Sequence, residues 1–225
     1  MRFEVQDWGL CDYSDALARQ HAILDARIHG TCNDTLILVE HPPVFTIGRQ
    51  GSLANLLVPP QQLHIPVVRV ERGGDITFHG PGQLVAYPIF ALPTRRRNVR
   101  SFLRMLENTV AIACASFGAN PVLINGLTGV WIATDQGPYQ RHSWLGERKI
   151  ASLGCAFKHW VCYHGVSVNV ENDLTPFSFI HLCGLPGKQP IALKDCATRP
   201  VSLASFKSVF VQTLEKQWHD FCTSN

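Results

Sequence analysis

Residues 72–83 read Arg72-Gly73-Gly74-Asp75-Ile76-Thr77-Phe78-His79-Gly80-Pro81-Gly82-Gln83. The glycines let backbone approach a ligand closely and leave amides free to bind it, while Arg72, Thr77 and His79 add polar groups. The segment matches neither G-x-G-x-x-G nor the Walker spacing, so phosphate binding is not signalled, and a tight turn between strands explains the glycines equally well. Of the eight cysteines, Cys114, Cys162 and Cys222 lie in apolar periodic segments and read as core filler. Cys183 differs, because Ile180-His181-Leu182-Cys183-Gly184-Leu185-Pro186-Gly187 is turn-rich, which makes it either an ordinary loop cysteine or a thiol presented as a nucleophile. Lys149 enters the small-residue run Ile150-Ala151-Ser152-Leu153-Gly154, which makes it either a solvent-facing strand start or a placed amine. His159, Cys162, His164, His181 and Cys183 match no metal-ligand spacing, and no C-x-x-C pair occurs. Arg95, Arg96, Arg97, Arg100 and Arg104 form a basic patch that is either simply solvated or docks an acidic partner.

The elements that must position these groups follow from periodicity. A helix is expected after Ser14, with Leu17, His21, Leu24 and Ile28 on its core face and Gly30 ending it. A second spans 99–117 along the stripe Val99, Leu103, Leu106, Val110 and Ala113. A third starts near Ser202, with Leu203, Phe206, Phe210, Leu214 and Phe221 facing inward. Strands are expected at 35–40, 44–48, 66–71, 83–90, 129–134, 150–157 and 161–170. Regular βα alternation is missing, which favours an α+β fold with a mixed or antiparallel sheet and packed helices.

With 225 residues, 46% of them hydrophobic and 16% charged, the chain is read as one domain, 1–225, with a sizeable core. A net charge of +3 does not point to nucleic acid. The uncharged stretches 76–94 and 108–134 are broken by Gly, Pro and Asn, so no membrane span is expected. Scattered cysteines and a polar start, Met1-Arg2-Phe3-Glu4, suggest a reducing, cytoplasmic setting with free thiols.

Four blocks together resemble the lipoyl(octanoyl) transferase family: 72–88, then Lys149-Ile150-Ala151-Ser152-Leu153-Gly154, then Tyr163-His164-Gly165-Val166-Ser167-Val168-Asn169-Val170 with Asp173-Leu174 and Phe177, then Cys183-Gly184. They occur in the family's order, and the resemblance covers roughly 20–215. It implies the fold of the biotin/lipoate protein ligase catalytic domain. It also implies transfer of an octanoyl group from acyl carrier protein to a lysine of lipoyl domains, those of 2-oxoacid dehydrogenases and of glycine cleavage H protein, by a monomer without cofactor or metal. Cys183 would carry the acyl group and Lys149 would support it. Residues 72–79 (Arg72, Gly73, Gly74, Asp75, Ile76, Thr77, Phe78, His79), Ser152, Leu153, Gly154, Gly165, Val166 and Ser167 would bind substrate, the glycines leaving room for the acyl chain. The chain departs from the family in having Leu182 where Pro is usual, Ile191-Ala192-Leu193 near the place of a Thr-Ser pair, and a longer connection at 135–147. The competing readings are an ATP-dependent lipoate or biotin ligase on the same fold and a non-catalytic module that binds lipoyl domains or acyl carriers.

Overall fold

The computed structural model describes residues 3–133, 147–185 and 187–224. In chain order it has β1 (Glu4–Leu10), α1 (Tyr13–Ile28), β2 (Thr35–Glu40), β3 (Val44–Ile47), β4 (Val67–Arg69), β5 (Ile76–His79) and β6 (Gln83–Ile89). Then follow α2 (Val99–Ser116), β7 (Pro121–Val122), β8 (Val130–Ile132), β9 (Arg148–Lys158), β10 (Val161–Asn169) and α3 (Leu203–Thr223). Seven strands form one sheet in the order β1-β2-β6-β10-β9-β8-β7, and β4-β3-β5 form a second. The pairs β1–β2 and β3–β4 are parallel and the other pairings antiparallel, so the fold is α+β with mixed sheets, as expected. The connection at 135–147 lies outside the described residues except for its last residue, Glu147.

Both faces of the large sheet are covered. Along β2, Leu36 and Leu38 enter a core built with Phe102 and Leu106 of α2 and Phe206, Phe210 and Trp218 of α3. Ile37 and Val39 point the other way, into a smaller core with Leu24 of α1 and Val85 and Tyr87 of β6. Burial on both sides is why β2 and β6 read as continuous apolar runs rather than alternating ones. A third cluster lies under the small sheet, where Phe45, Ile47, Ile76 and Phe78 meet Phe177, Ile180 and Leu182. That cluster seats the loop carrying Cys183.

Helix starts follow side-chain capping. Asp12 and Asn98 accept from the backbone of Ser14 and Ser101, and Ser202 forms a reciprocal capping box with Ser205. The face of α1 is rotated from expectation: Tyr13, Ala16, Gln20 and Leu24 are buried, while His21 is only partly so. Gln20 accounts for this, because its Oε1 accepts a hydrogen bond from the His164 amide at 3.1 Å and so draws a polar residue inward. On α2, Val99 is exposed and Phe102 and Met105 take the core. β1, β5 and β7 were not anticipated; each is short or, in β1, carries charge on an edge strand.

Candidate active site

Lys149 stands near the start of β9, only 3% exposed, paired with Trp131 of β8 and facing the Cys183 loop. Its Nζ donates to Cys183 Sγ at 2.8 Å and to Thr128 O at 3.0 Å, and lies 5.0 Å from the centre of the Trp131 ring. Three backbone hydrogen bonds hold the segment: Lys149 N to Gln189 O, Ile191 N to Lys149 O, and His181 N to Asn55 O. Cys183 itself adopts φ 55°, in the left-handed region where a non-glycine residue costs about 1–3 kcal/mol, and Gly184 follows at φ 69°. This turn brings the thiol to Lys149, with Ser152 Oγ 4.0 Å from Sγ.

A cavity of about 330 Å³ opens beside the thiol, a size suited to a small ligand. Lys149, Cys183, Ser152, Leu153 and Gly154 line it, as do Gly165, Val166 and Ser167 of β10. Arg72, Gly74, Asp75, Ile76, Thr77 and His79 line it too. Gly73 and Phe78 do not: Phe78 turns into the cluster with Phe45 and Phe177, and Gly73 uses its amide on Cys155 O and its carbonyl on Arg72. Nor do all the glycines make room for a ligand. A Cβ on Gly154 would meet Gly73 O at 2.6 Å and Arg72 Cδ at 3.1 Å, so this glycine makes room for the arginine loop. A Cβ on Gly165 would meet Ala86 O at 2.1 Å on the neighbouring strand.

One hydrogen-bonded chain orders the polar wall. Gln83 Nε2 donates to Phe78 O and Asn169 Oδ1, which turns its Oε1 to His79 Nδ1 at 2.8 Å. His79 therefore carries its proton on Nδ1, and Nε2 accepts from Thr46 Oγ1 at 3.3 Å. The Thr46 oxygen in turn accepts from Arg72 Nε and Nη2, and Thr46 O accepts from Nη2 at 2.6 Å. Burial, reinforced by His41, pushes His79 down to about 3, so the ring is neutral beside the arginine. Burial likewise pushes His164 down to about 4 and raises Tyr13 to about 12. Asp75 accepts from Asn55 Nδ2 at 2.6 Å and from the Ile76 amide at 2.6 Å. The amides of Gly73, Ile76 and Gly184 are already donated within the protein, which removes them as ready oxyanion donors.

Several residues of the cavity and of the network behind it carried no sequence signal. Thr128 acts through its backbone carbonyl, and Thr46 through both its carbonyl and its hydroxyl. Tyr13 and His41 have no role in the sequence reading and Tyr87 falls in the strand expected at 83–90, yet His41 Nε2 accepts from the Tyr87 hydroxyl at 2.8 Å. His164 is the one with a detectable oddity, a buried histidine at φ 54° whose Nδ1 has no partner among the described residues. Among those residues no helix is long and apolar enough to cross a membrane.

The profile of the lipoyl protein ligase A/B catalytic domain matches residues 12–215. An octanoyltransferase of Syntrophotalea carbinolica is 41% identical over 218 residues, which cover 96% of this chain and 95% of that one. One from Maridesulfovibrio salexigens is 37% identical, covering 96% and 97%. Among solved structures, a bi-partite lipoate protein ligase from Thermoplasma acidophilum superposes with a TM-score of 0.72 at 15% identity, covering 97% of this chain and 84% of that one. Lipoate-protein ligase A bound with ATP gives 0.70 at 15% identity, covering 97% and 86%. A biotin protein ligase from Aquifex aeolicus gives 0.58 at 9% identity, covering 99% and 73%. At these identities the structural likeness establishes the fold.

Proposed function

The chain belongs to the lipoyl protein ligase A/B catalytic-domain family and is an acyltransferase that moves octanoyl groups in protein lipoylation, and we propose that it does so through an acyl thioester on Cys183. The observation that carries this reading is the 2.8 Å contact between a buried lysine amine and a cysteine held in a strained turn at the cavity wall. In the first step the Cys183 sulfur attacks the donor thioester carbonyl; a C–S bond forms, the donor C–S bond breaks, and the donor leaves as a thiol. In the second the ε-amine of the acceptor lysine attacks the new thioester, and the Cys183 sulfur leaves as the amide forms. Thioester exchange is nearly balanced in free energy, and amide formation drives the sequence without ATP.

Lys149 serves both steps. As an ammonium it has three N–H bonds, and two are directed at Cys183 Sγ and Thr128 O. The third has no hydrogen-bond acceptor among the described residues and would meet the oxyanion of each tetrahedral intermediate, an interaction worth about 3 kcal/mol. In the first step Lys149 gives one proton to the departing donor sulfur, which leaves as the thiol, and in the neutral form so produced it takes the proton that the attacking amine must lose. The acyl chain lies in the cavity along Leu153, Val166 and Val85, with the Arg72–Thr46–His79 chain holding the glycine loop beside it.

The acceptors are lipoyl domains. The finer assignment is octanoyl-acyl carrier protein as donor, with lipoyl domains of 2-oxoacid dehydrogenases and glycine cleavage H protein as acceptors, in the cytoplasm, by one catalytic domain spanning 1–225. Intact-mass analysis after incubation with octanoyl-carrier protein tests the pathway. One octanoyl adduct is expected, absent in Cys183→Ala and discharged by lipoyl domain without ATP. An adduct that survives Cys183→Ala, or an absolute need for ATP, would sink it.

A further inference from the structure

Glu107 is a carboxylate on the core face of α2, only 5% exposed, among Phe102, Leu106, Val110 and other buried side chains. A buried charge is expensive unless each oxygen is engaged. One oxygen of Glu107 lies 3.2 Å from Arg104 Nη1, whose side chain is 44% exposed. The other accepts from Gly129 N at 2.8 Å. That amide belongs to the same peptide group as Thr128 O, and Thr128 O accepts from Lys149 Nζ at 3.0 Å. A single peptide plane therefore joins the buried carboxylate to the amine that touches Cys183. Its N–H faces Glu107 and its C=O faces the lysine.

Gly129 explains why the plane needs holding. A Cβ there would lie 2.5 Å from Lys149 Cε and 2.8 Å from Ala151 O, so the close approach demands glycine. Glycine is also the residue whose flanking peptide rotates most freely. If the plane turned over, an N–H rather than a carbonyl would face the lysine, and Nζ would lose the acceptor opposite the thiol. The carboxylate opposes that rotation through a charge-assisted bond, and it polarises the carbonyl on the far side.

We propose that Glu107 is a positioning residue for octanoyl transfer, acting through the Thr128–Gly129 peptide to hold Lys149 against Cys183. The inference rests on Lys149 and Cys183 carrying the transfer. The test compares Glu107→Ala and Glu107→Gln for transfer, and for alkylation of Cys183 by iodoacetamide, each in the parental protein and in Lys149→Ala. Gln keeps an acceptor oxygen for Gly129 N and Ala does not. Glu107→Ala is expected to lower kcat about tenfold, the equivalent of one hydrogen bond of about 1.4 kcal/mol, with acceptor KM changed less than about twofold. Glu107→Gln is expected to recover most of that loss. Alkylation should slow in Glu107→Ala but show no further change when Lys149 is already alanine. If Glu107→Gln is as slow as Glu107→Ala, or if Glu107→Ala slows alkylation equally with and without Lys149, the proposal is overturned. If Lys149→Ala transfers at the parental rate, the reading of the site itself fails, an outcome these arms keep separate.

Discussion

Lys149 and Cys183 stand 34 residues apart in sequence and 2.8 Å apart in space, so the roles of the two are separable by substitution. Lys149→Ala leaves a small gap beside Trp131 and Thr128 but removes the amine from both chemical steps. Transfer is expected to fall roughly 10²–10⁴-fold in a protein that still melts cooperatively. A loss of only a few-fold would make the lysine a structural group. The buried histidines yield a second prediction. Unfolded histidine titrates near 6.5, whereas His79 is held down at about 3 and His164 at about 4, in both cases mainly by burial. Between these values the unfolded chain binds protons that the folded chain does not. This contribution to stability is therefore complete above about pH 6.5 and is lost as pH falls toward 4 and then 3. NMR titration should find neither ring protonated at pH 5, and melting temperature should drop between pH 6.5 and 4.5. A midpoint near 6.5 for His79 would contradict the closed network around Arg72, and one near 6.5 for His164 would mean that the nearby Glu71 carboxylate outweighs its burial.

The three central strands are the elements on which the site depends most. β6 and β10 pair with Val166 opposite Ala86, and Gly165 sits where a Cβ would run into Ala86 O at 2.1 Å and Pro88 Cδ at 2.7 Å. Backbone and a proline ring cannot step aside as the end of a flexible side chain would. Gly165→Ala is therefore expected to lose about 3 kcal/mol in urea unfolding, the upper range for overpacking, before any effect on substrate is considered. A loss below about 0.5 kcal/mol would mean the two strands separate more easily than their register suggests. Sequence identified Gly165 through the block it belongs to, but assigned it to ligand space. Its steric partner lies on a strand far away along the chain, and no local pattern reveals that contact. Helix starts were legible for the opposite reason: Ser202 and its partner Ser205 form a cap within one turn. On α1, the inward pull on Gln20 comes from the distant His164 amide, and the expected face was wrong by that much.

Across the whole molecule the arginine cluster changes meaning. Arg95 donates to Cys222 O at 2.6 Å and Arg96 to Ser224 O, so both satisfy carbonyls at the C-terminal end of α3. Arg97 lies 5.7 Å from the Trp160 ring at the β9–β10 turn. At about 3.3 Å per residue, the run of β9 from Ser152 to Lys158 puts that turn roughly 20 Å along the strand from the thiol. Arg95→Ala is expected to lower unfolding free energy by about 1 kcal/mol, with KM for the protein donor unchanged. A raised KM at low salt, relieved by added salt, would favour the docking reading of the patch over the solvated one. Sequence by itself determined the α+β class, the three helices and the reactive residue types. Amphipathic stripes, caps and glycine-rich turns are local, and the four blocks kept their identities and order. Tertiary structure alone decided which of those groups meet. The Lys149–Cys183 contact, the Thr46 bridge between Arg72 and His79, and the peptide shared by Glu107 and Lys149 all join distant segments. Backbone carbonyls and amides supply several of these links, and every residue type carries them, so only the packing of the sheets and helices selects the ones that act.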